Sequence, residues 1–174
     1  RNSYDFDFNA DGEMFTFDSD MEWDWGLPWY RPTRINHCVM GGESGWRSGS
    51  AVWPEYYADS LPPAVNIGVG PATGAKFGTK GNFPEKYRRA LFAFDWSYGR
   101  IFAVHLKPQG ASYSGDYEVF IKGKPLNVSD LDFGKAAGTN KAALILNGWV
   151  DWADGSTFLN ATQAHHDLTF PYLQ

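Results

Sequence analysis

Hydrophobic and polar residues alternate along several short stretches of the chain, and this pattern predicts β-strands. Residues 3–8 and 13–18 alternate on either side of Asn9-Ala10-Asp11-Gly12, and alternation around an Asp-Gly turn predicts an antiparallel hairpin. No segment shows an extended apolar period of 3.6 residues, so we expect little helix beyond a single turn beginning at Pro84. Further strands are predicted for residues 33–40, 65–69, 74–78, 90–96, 100–107, 117–122 and 130–133.

Two short repeats connect distant strands. Phe15-Thr16-Phe17-Asp18 recurs as Phe92-Ala93-Phe94-Asp95 about 77 residues later, and Asp5-Phe6-Asp7-Phe8 is echoed by Asp130-Leu131-Asp132-Phe133 about 125 residues later. The blades of a β-propeller recur every ~40–50 residues. The offsets therefore predict separations of two and three blades.

The composition agrees with an all-β protein and narrows the functions to consider. The 174 residues include 8 Trp, 9 Tyr and 13 Phe, with 19 Gly and 10 Pro that favour short strands. The net charge of −5 and the lack of a basic face argue against nucleic-acid binding. No apolar run approaches the ~20 residues of a membrane span. Cys38 is the single cysteine, which excludes an internal disulfide.

A distinctive stretch runs from Asp20-Met21-Glu22-Trp23-Asp24 to Pro28-Trp29-Tyr30-Arg31-Pro32-Thr33-Arg34. With Asp95-Trp96-Ser97-Tyr98-Gly99, it makes residues 1–135 resemble the membrane-bound dehydrogenases of planctomycete-type bacteria, which belong to the glucose/sorbosone dehydrogenase group. The resemblance implies a six-bladed β-propeller with a quinone or metal site at its central channel. Such a propeller needs roughly 240 residues or more, so we expect about three four-stranded blades here, forming a partial propeller.

The resemblance stops after Lys135, and this predicts two parts of the chain. Residues 1–135 are expected to form propeller blades. Residues 136–174 are expected to form a short β-rich C-terminal segment, either a further blade or an unrelated piece, with a faint similarity to the tail of FG-GAP/UnbV-type proteins. The chain begins at Arg1 within a strand-like pattern, so we also expect a mature chain or a piece of a longer one.

The acidic loop is the predicted metal site. The resemblance implies a calcium ion held near Asp20, Glu22 and Asp24, with backbone oxygens beside Gly26 and Pro28. The Glu-His-Gly-Pro form found in the related enzymes is not present, so a solvated loop remains the alternative. A second calcium candidate is the Asp-x-Asn-x-Asp-Gly pattern of residues 7–12, which a hairpin turn explains equally.

The predicted cofactor site comprises Arg31, Arg34, Asn36 and His37. Two arginines near the end of a propeller could clamp an anionic cofactor, here a quinone of the pyrroloquinoline quinone (PQQ) type, or an anionic substrate. The sequence Thr33-Arg34-Ile35-Asn36 stands where the quinone enzymes carry Asp-Glu-Ile-Asn, so the charge at position 34 is reversed. The alternative is that Arg34 pairs with Asp20 or Glu22.

Two functions are consistent with these patterns. The first is a fragment of a quinone-dependent sugar or alcohol dehydrogenase whose catalytic histidine lies in other blades. The second is a non-catalytic propeller that acts as a structural or ligand-binding subunit, with carbohydrate or protein contacts made by Trp and Tyr. Either protein is expected in the periplasm or outside the cell, with a protein partner or further chain segments completing the propeller and covering its open edges.

Overall fold

The computed structural model describes residues 2–45, 57–58, 60–81, 83–135 and 142–149. Within these residues, helix is limited to the single turn α1 (Glu85–Arg88), which follows Pro84 as predicted, and to two 3-10 turns. No helix in this described part is long and apolar enough to cross a membrane. The strands are β1 (Phe6–Phe8), β2 (Met14–Asp18), β3 (Thr33–Cys38), β4 (Val65–Gly68), β5 (Ala72–Phe77), β6 (Leu91–Asp95), β7 (Arg100–Gln109), β8 (Ser112–Lys122), β9 (Asn127–Lys135) and β10 (Ala142–Trp149).

The strands form two four-stranded antiparallel sheets and a two-stranded sheet. The first sheet has the order β1-β2-β3-β4, the second has the order β5-β6-β7-β8, and β9 pairs with β10. Strand β1 packs on β5, and β5 packs on β9. The first strand of each sheet therefore contacts the first strand of the next. This is the arrangement of propeller blades around a central axis. The predicted all-β class and partial propeller are confirmed.

The core is built at the interfaces between successive sheets. Phe15, Phe17 and Ile35 of the first sheet pack on the second sheet, where they meet Phe77 and Leu91. The opposite face of the second sheet packs on β9 through another cluster, which includes Phe92, Phe94, Ile101, Val128 and Leu131. The second sheet buries apolar residues on both faces, because successive side chains of a strand point to opposite faces.

The sequence repeats mark equivalent strands, but the predicted blade separations are wrong. Residues 15–18 lie in β2 and residues 92–95 in β6, the second strands of adjacent sheets. Residues 5–8 and 130–133 lie at β1 and in β9, so they are two blades apart rather than three. The first blade is long because its β2–β3 and β3–β4 connections span residues 19–32 and 39–64.

Side chains of one blade bind the edge of the next. Asp5 Oδ2 accepts a hydrogen bond from the backbone N–H of Ala75 (3.2 Å), and Asp7 Oδ2 accepts one from Phe77 (2.8 Å). This pairing order shows that β1 and β5 run in the same direction. Thr73 Oγ1 in turn donates to the carbonyl oxygen of Val128 on β9 (2.9 Å). These bonds satisfy backbone N–H and C=O groups that would otherwise have no hydrogen-bond partner on the first strand of a blade.

The pairing of β9 with β10 crosses the predicted boundary at residue 136. Within this pair, Phe133 lies opposite Leu144 and Leu131 lies opposite Leu146, with a register shift between Asn147 and Gly148. The division of the chain into residues 1–135 and 136–174 stays a prediction, and most of its second part lies outside the described residues.

We expect Gly74→Ala to lower the free energy of unfolding by about 1–3 kcal/mol, because added core volume forces neighbours to move. A Cβ at Gly74 would lie 2.5 Å from the Phe94 ring and 2.8 Å from the carbonyl oxygen of Ser129. Urea unfolding measures the change. Asp116→Ala, at an exposed position of β8, is the control and should change stability by less than about 0.5 kcal/mol. Equal stability of the two variants would contradict the close approach of β5 to β9.

Candidate functional site

One end of the blades carries the distinctive acidic and aromatic loop. This loop (residues 19–32) joins β2 to β3, and the turn of residues 96–99 joins β6 to β7. Both connect the second and third strands of their sheets, so they lie at the same end of the two blades. Exposed aromatic side chains dominate this end. They belong to Trp23, Trp25 and Trp29 in the loop and to Trp96 and Tyr98 in the turn.

A buried carboxylate anchors the loop. Asp20 is 2% exposed, and its Oδ2 accepts a hydrogen bond of 2.6 Å from the hydroxyl of Tyr30. The backbone N–H of Met21 donates to the carbonyl oxygen of Arg31 across the base of the loop (3.3 Å). Burial raises the pKa of the Tyr30 phenol, and the hydrogen bond and negative charge of Asp20 raise it further. Tyr30 therefore stays neutral and donates to Asp20.

The predicted calcium residues lie along the acidic loop, on either side of and within one 3-10 turn. Glu22 and Asp24 lie on a 3-10 turn (Glu22–Asp24), and Gly26 follows it with a φ of +85°, a conformation that favours glycine. Asp20 lies before the turn and is bound to Tyr30. Pro28 lies farther along the same loop. Among the described residues, no three His, Cys, Asp or Glu side chains form a group that could hold a metal ion. The calcium site stays a prediction.

Two predicted cofactor residues meet at a buried aspartate. Asp18 is fully buried, and its Oδ2 accepts a hydrogen bond from Asn36 Nδ2 (3.2 Å) and lies 3.8 Å from Arg34 Nη2. Arg34 Nη2 also donates to the carbonyl oxygen of Ser44 (2.8 Å). Burial raises the pKa of Asp18, whereas the hydrogen bond from the N–H of Asn2 and the charge of the Arg34 guanidinium lower it. The charge of Arg34 is therefore opposed by a carboxylate within the fold.

The other two predicted cofactor residues differ in position, because Arg31 lies beside the Ser44–Gly45 segment that Arg34 also contacts, whereas His37 lies apart. His37 points to the opposite face of β3, where Nε2 bonds Glu13 (3.0 Å) and Nδ1 bonds the Ser112 hydroxyl of the second blade (3.1 Å). Arg31 lies beside Gly45, since a Cβ at that glycine would be 2.5 Å from Arg31 Nη1. The structure therefore brings Arg34 and Asn36 together and separates His37 from them. Their role as cofactor ligands stays a prediction.

The pairing of Asp18 with Arg34 recurs in the second blade and was missed from sequence. Asp95 ends β6 as Asp18 ends β2, and it is also fully buried. Its Oδ2 accepts hydrogen bonds from Nε (2.7 Å) and Nη2 of Arg100, which begins β7. The repeated Phe-x-Phe-Asp sequence indicates that the two aspartates occupy equivalent positions in their blades. Their arginine partners lie at different sequence distances, because the loops between the strands differ in length.

The Asp-x-Asn-x-Asp-Gly pattern forms the hairpin turn between β1 and β2. Asn9 Oδ1 accepts hydrogen bonds from the N–H groups of Asp11 (2.9 Å) and Glu13 (2.8 Å), and Gly12 has a φ of +86°. Asp7 is engaged with Phe77, and Asp11 forms an ion pair with Arg89 (2.8 Å). The turn alternative accounts for this pattern.

No protein-family model matches the sequence, and a search of curated proteins found no match. Two solved sugar dehydrogenases share the fold. One is an oxidoreductase from Thermus thermophilus described as a glucose dehydrogenase, with a TM-score of 0.62 and 16% sequence identity. The other is the PQQ-bound form of an aldose sugar dehydrogenase from Streptomyces coelicolor, with a TM-score of 0.53 and 12% identity.

These similarities establish the fold alone, because both identities are low. The match covers 85% of this chain and 39% of the Thermus protein, and 83% of this chain and 42% of the Streptomyces protein. The chain therefore spans about two fifths of the length of each. Its described blades have the fold of part of a β-propeller.

Tyr30→Phe is expected to lower the free energy of unfolding at neutral pH by about 1–3 kcal/mol, because it removes a hydrogen bond to a buried carboxylate. The pKa of Tyr30 is raised by folding, so its stabilisation is complete below the ordinary tyrosine value near 10 and is lost as the pH rises through the higher folded value. Denaturant unfolding at pH 7 and above pH 10 measures this change. The difference in the free energy of unfolding between the variant and the native protein should be smaller above pH 10 than at pH 7. Tyr98→Phe, at the same end, is the control, and an equal loss in both variants would contradict the Asp20 contact.

Proposed function

We propose that this chain is a section of a six-bladed propeller that oxidises a sugar or an alcohol with a quinone as electron acceptor. The observation that carries the proposal is the fold, in which two four-stranded blades and two strands of a third follow one another as in two sugar dehydrogenases. The aromatic and acidic residues at one end of these blades support it. The resemblance to the sorbosone dehydrogenase group also supports a periplasmic or extracellular location.

In this proposal, the loop end of the described blades binds the substrate. Trp25 is 70% exposed and Trp29 is 51% exposed, so their rings are available to a ligand. Aromatic faces can pack against the apolar face of a sugar ring, and carboxylates such as Glu22 can accept hydrogen bonds from its hydroxyls. The bond between Tyr30 and Asp20 fixes the base of the loop and so orients these groups.

The cofactor would depend largely on other blades. A bound quinone of the PQQ type would supply the electron-accepting chemistry. The described residues do not fit a quinone clamp as predicted, because Arg34 and Asn36 are buried around Asp18 and His37 lies on the opposite face of β3. We therefore assign the catalytic base and the main cofactor contacts to blades beyond these residues.

The experiment uses the full polypeptide that contains this sequence, supplied with PQQ and Ca²⁺. We expect it to reduce an artificial dye when an aldose or a simple alcohol is added. Quinone binding is followed separately by an absorbance titration. A protein that binds no quinone and reduces no dye across a panel of aldoses and alcohols would contradict the proposal.

The double variant Trp25→Ala/Trp29→Ala is expected to raise KM about 2- to 10-fold and to leave kcat within about twofold, because ring stacking contributes similarly before and in the transition state. Dye-reduction kinetics measure both constants. Met40→Ala is the matched control, since Met40 is a fully exposed apolar residue after β3, away from the loop. A large fall in kcat, or an equal change in the control, would argue against a binding role for the loop.

The second candidate is a non-catalytic propeller that binds a carbohydrate or serves as a structural subunit. The specific observation in its favour is that the Arg34 charge is opposed by Asp18 inside the fold, rather than presented to an anionic cofactor. Isothermal titration calorimetry separates the two candidates. Sugar binding without quinone binding or dye reduction would favour this second function.

A further inference from the structure

The first blade has a specific way of binding the second. Asp5 and Asp7 reach from β1 to β5, where their Oδ2 atoms accept hydrogen bonds from the backbone N–H groups of Ala75 and Phe77. β5 lies at the edge of its sheet, so these N–H groups have no strand partner on that side. The two carboxylates therefore complete the hydrogen bonding of an edge strand that belongs to the following blade.

The same sequence pattern occupies the same position in the third sheet. Asp130-Leu131-Asp132-Phe133 lies in β9, which is the first strand of its sheet as β1 is of the first. The local hydrogen bond of Asp5 also recurs at both aspartates of β9. Asp5 Oδ1 accepts the N–H of Phe6 (2.8 Å), Asp130 Oδ1 accepts that of Leu131 (2.6 Å), and Asp132 Oδ1 accepts that of Phe133 (2.8 Å).

The burial of Leu131 shows which way the two aspartates face. Leu131 is 0% exposed and belongs to the core between the second sheet and β9. Phe133 contacts Phe83 on the same side, with ring centroids 6.0 Å apart. Because side chains alternate along a strand, Asp130 and Asp132 lie on the face turned away from the second blade. Asp132 is exposed and Asp130 is half-buried.

We infer that Asp130 and Asp132 bind the backbone of a further blade, one supplied by the same polypeptide. The blade that fits is an antiparallel sheet whose innermost strand offers two N–H groups at residues i and i+2, as β5 offers those of Ala75 and Phe77 to the first blade. The Oδ2 atoms accept them while the Oδ1 atoms keep the local bonds. The source follows from the two solved sugar dehydrogenases, in which this chain matches only 39% and 42% of a single longer chain.

The opposite end of the chain shows what an uncovered first strand looks like. Phe6 and Phe8 occupy the positions of Leu131 and Phe133, and they are 55% and 51% exposed. They form an edge-on ring pair with centroids 6.0 Å apart. The second blade covers the Leu131 face of β9, whereas no described blade covers the Phe6 face of β1. Each first strand therefore has one face for the preceding blade and one for the following blade.

The test is Asp130→Asn/Asp132→Asn in the full polypeptide. Asn keeps one oxygen for the local N–H and replaces the second acceptor with a donor. We expect Tm to fall by about 5 °C, as it should for Asp5→Asn/Asp7→Asn, whose inter-blade bonds are described above. Asp116→Asn, on an exposed part of β8, is the matched control and should change Tm by less than about 1 °C.

Hydrogen exchange measured by mass spectrometry locates the effect. The inference expects faster exchange in a peptide outside residues 1–149, in addition to any change in β9. It is overturned if the double variant has the Tm of the Asp116→Asn control, or if faster exchange is confined to β9. A loss of Tm that disappears as the protein is diluted would mean that a second copy supplies the blade, and it would overturn the assigned source.

Discussion

Each blade of this protein has to bury both faces of its sheet, and the other features of the structure follow from that requirement. Phe15 and Phe17 cover one side of the second sheet, and β9 covers the other through Val128 and Leu131. A sheet with two apolar faces cannot be stable alone, because each face loses its hydrophobic stabilisation if it meets water. The core is therefore a series of interfaces between sheets.

This stacking leaves backbone N–H and C=O groups of the innermost strands without a strand partner on one side. Strand β5 has a partner on one side only, so its second row of N–H groups faces the axis of the propeller. Asp5 and Asp7 bind those groups, while Thr73 binds the carbonyl oxygen of Val128. The blades are joined both by apolar packing and by side-chain hydrogen bonds to backbone, and the second kind is directional. It therefore helps to set the register of one blade against the next.

Buried ion pairs serve the loop end in a comparable way. Asp18 with Arg34 and Asp95 with Arg100 stand where the second strand of a blade ends and the third begins. Removing the arginine of such a pair leaves a buried carboxylate without its charge partner, and the loss of one partner of a buried pair typically costs about 3–5 kcal/mol. The pairs hold the strand ends from which the acidic and aromatic loop projects. Asp18 also opposes the charge of Arg34, which the sequence analysis proposed for an anionic ligand.

Local patterns predicted most strands because alternation and turn residues act over a few positions. The hairpin around Asn9 and Gly12 formed as expected, since the Asn9 side chain and the positive φ of Gly12 need no distant partner. Strand β8 begins at Ser112, earlier than residue 117, because pairing with the long strand β7 extends it beyond the apolar stretch. The predicted blade separations are wrong because loop lengths, which the strand repeats do not encode, set the spacing.

In the candidate site, too, local sequence patterns predicted some features and tertiary contacts decided the others. Alternation along β3 placed Arg34 and Asn36 on one face and His37 on the other, and the sequence contained that information. The burial of Asp18 beneath Arg34 came from the pairing of β2 with β3, and the bond from His37 to Ser112 joins residues 75 positions apart. The sequence by itself determined the all-β class, the turns and the repeated Asp-containing strands. Only the tertiary structure decided which carboxylates are paired inside the fold and which face outward, because burial depends on surfaces brought together from distant parts of the chain.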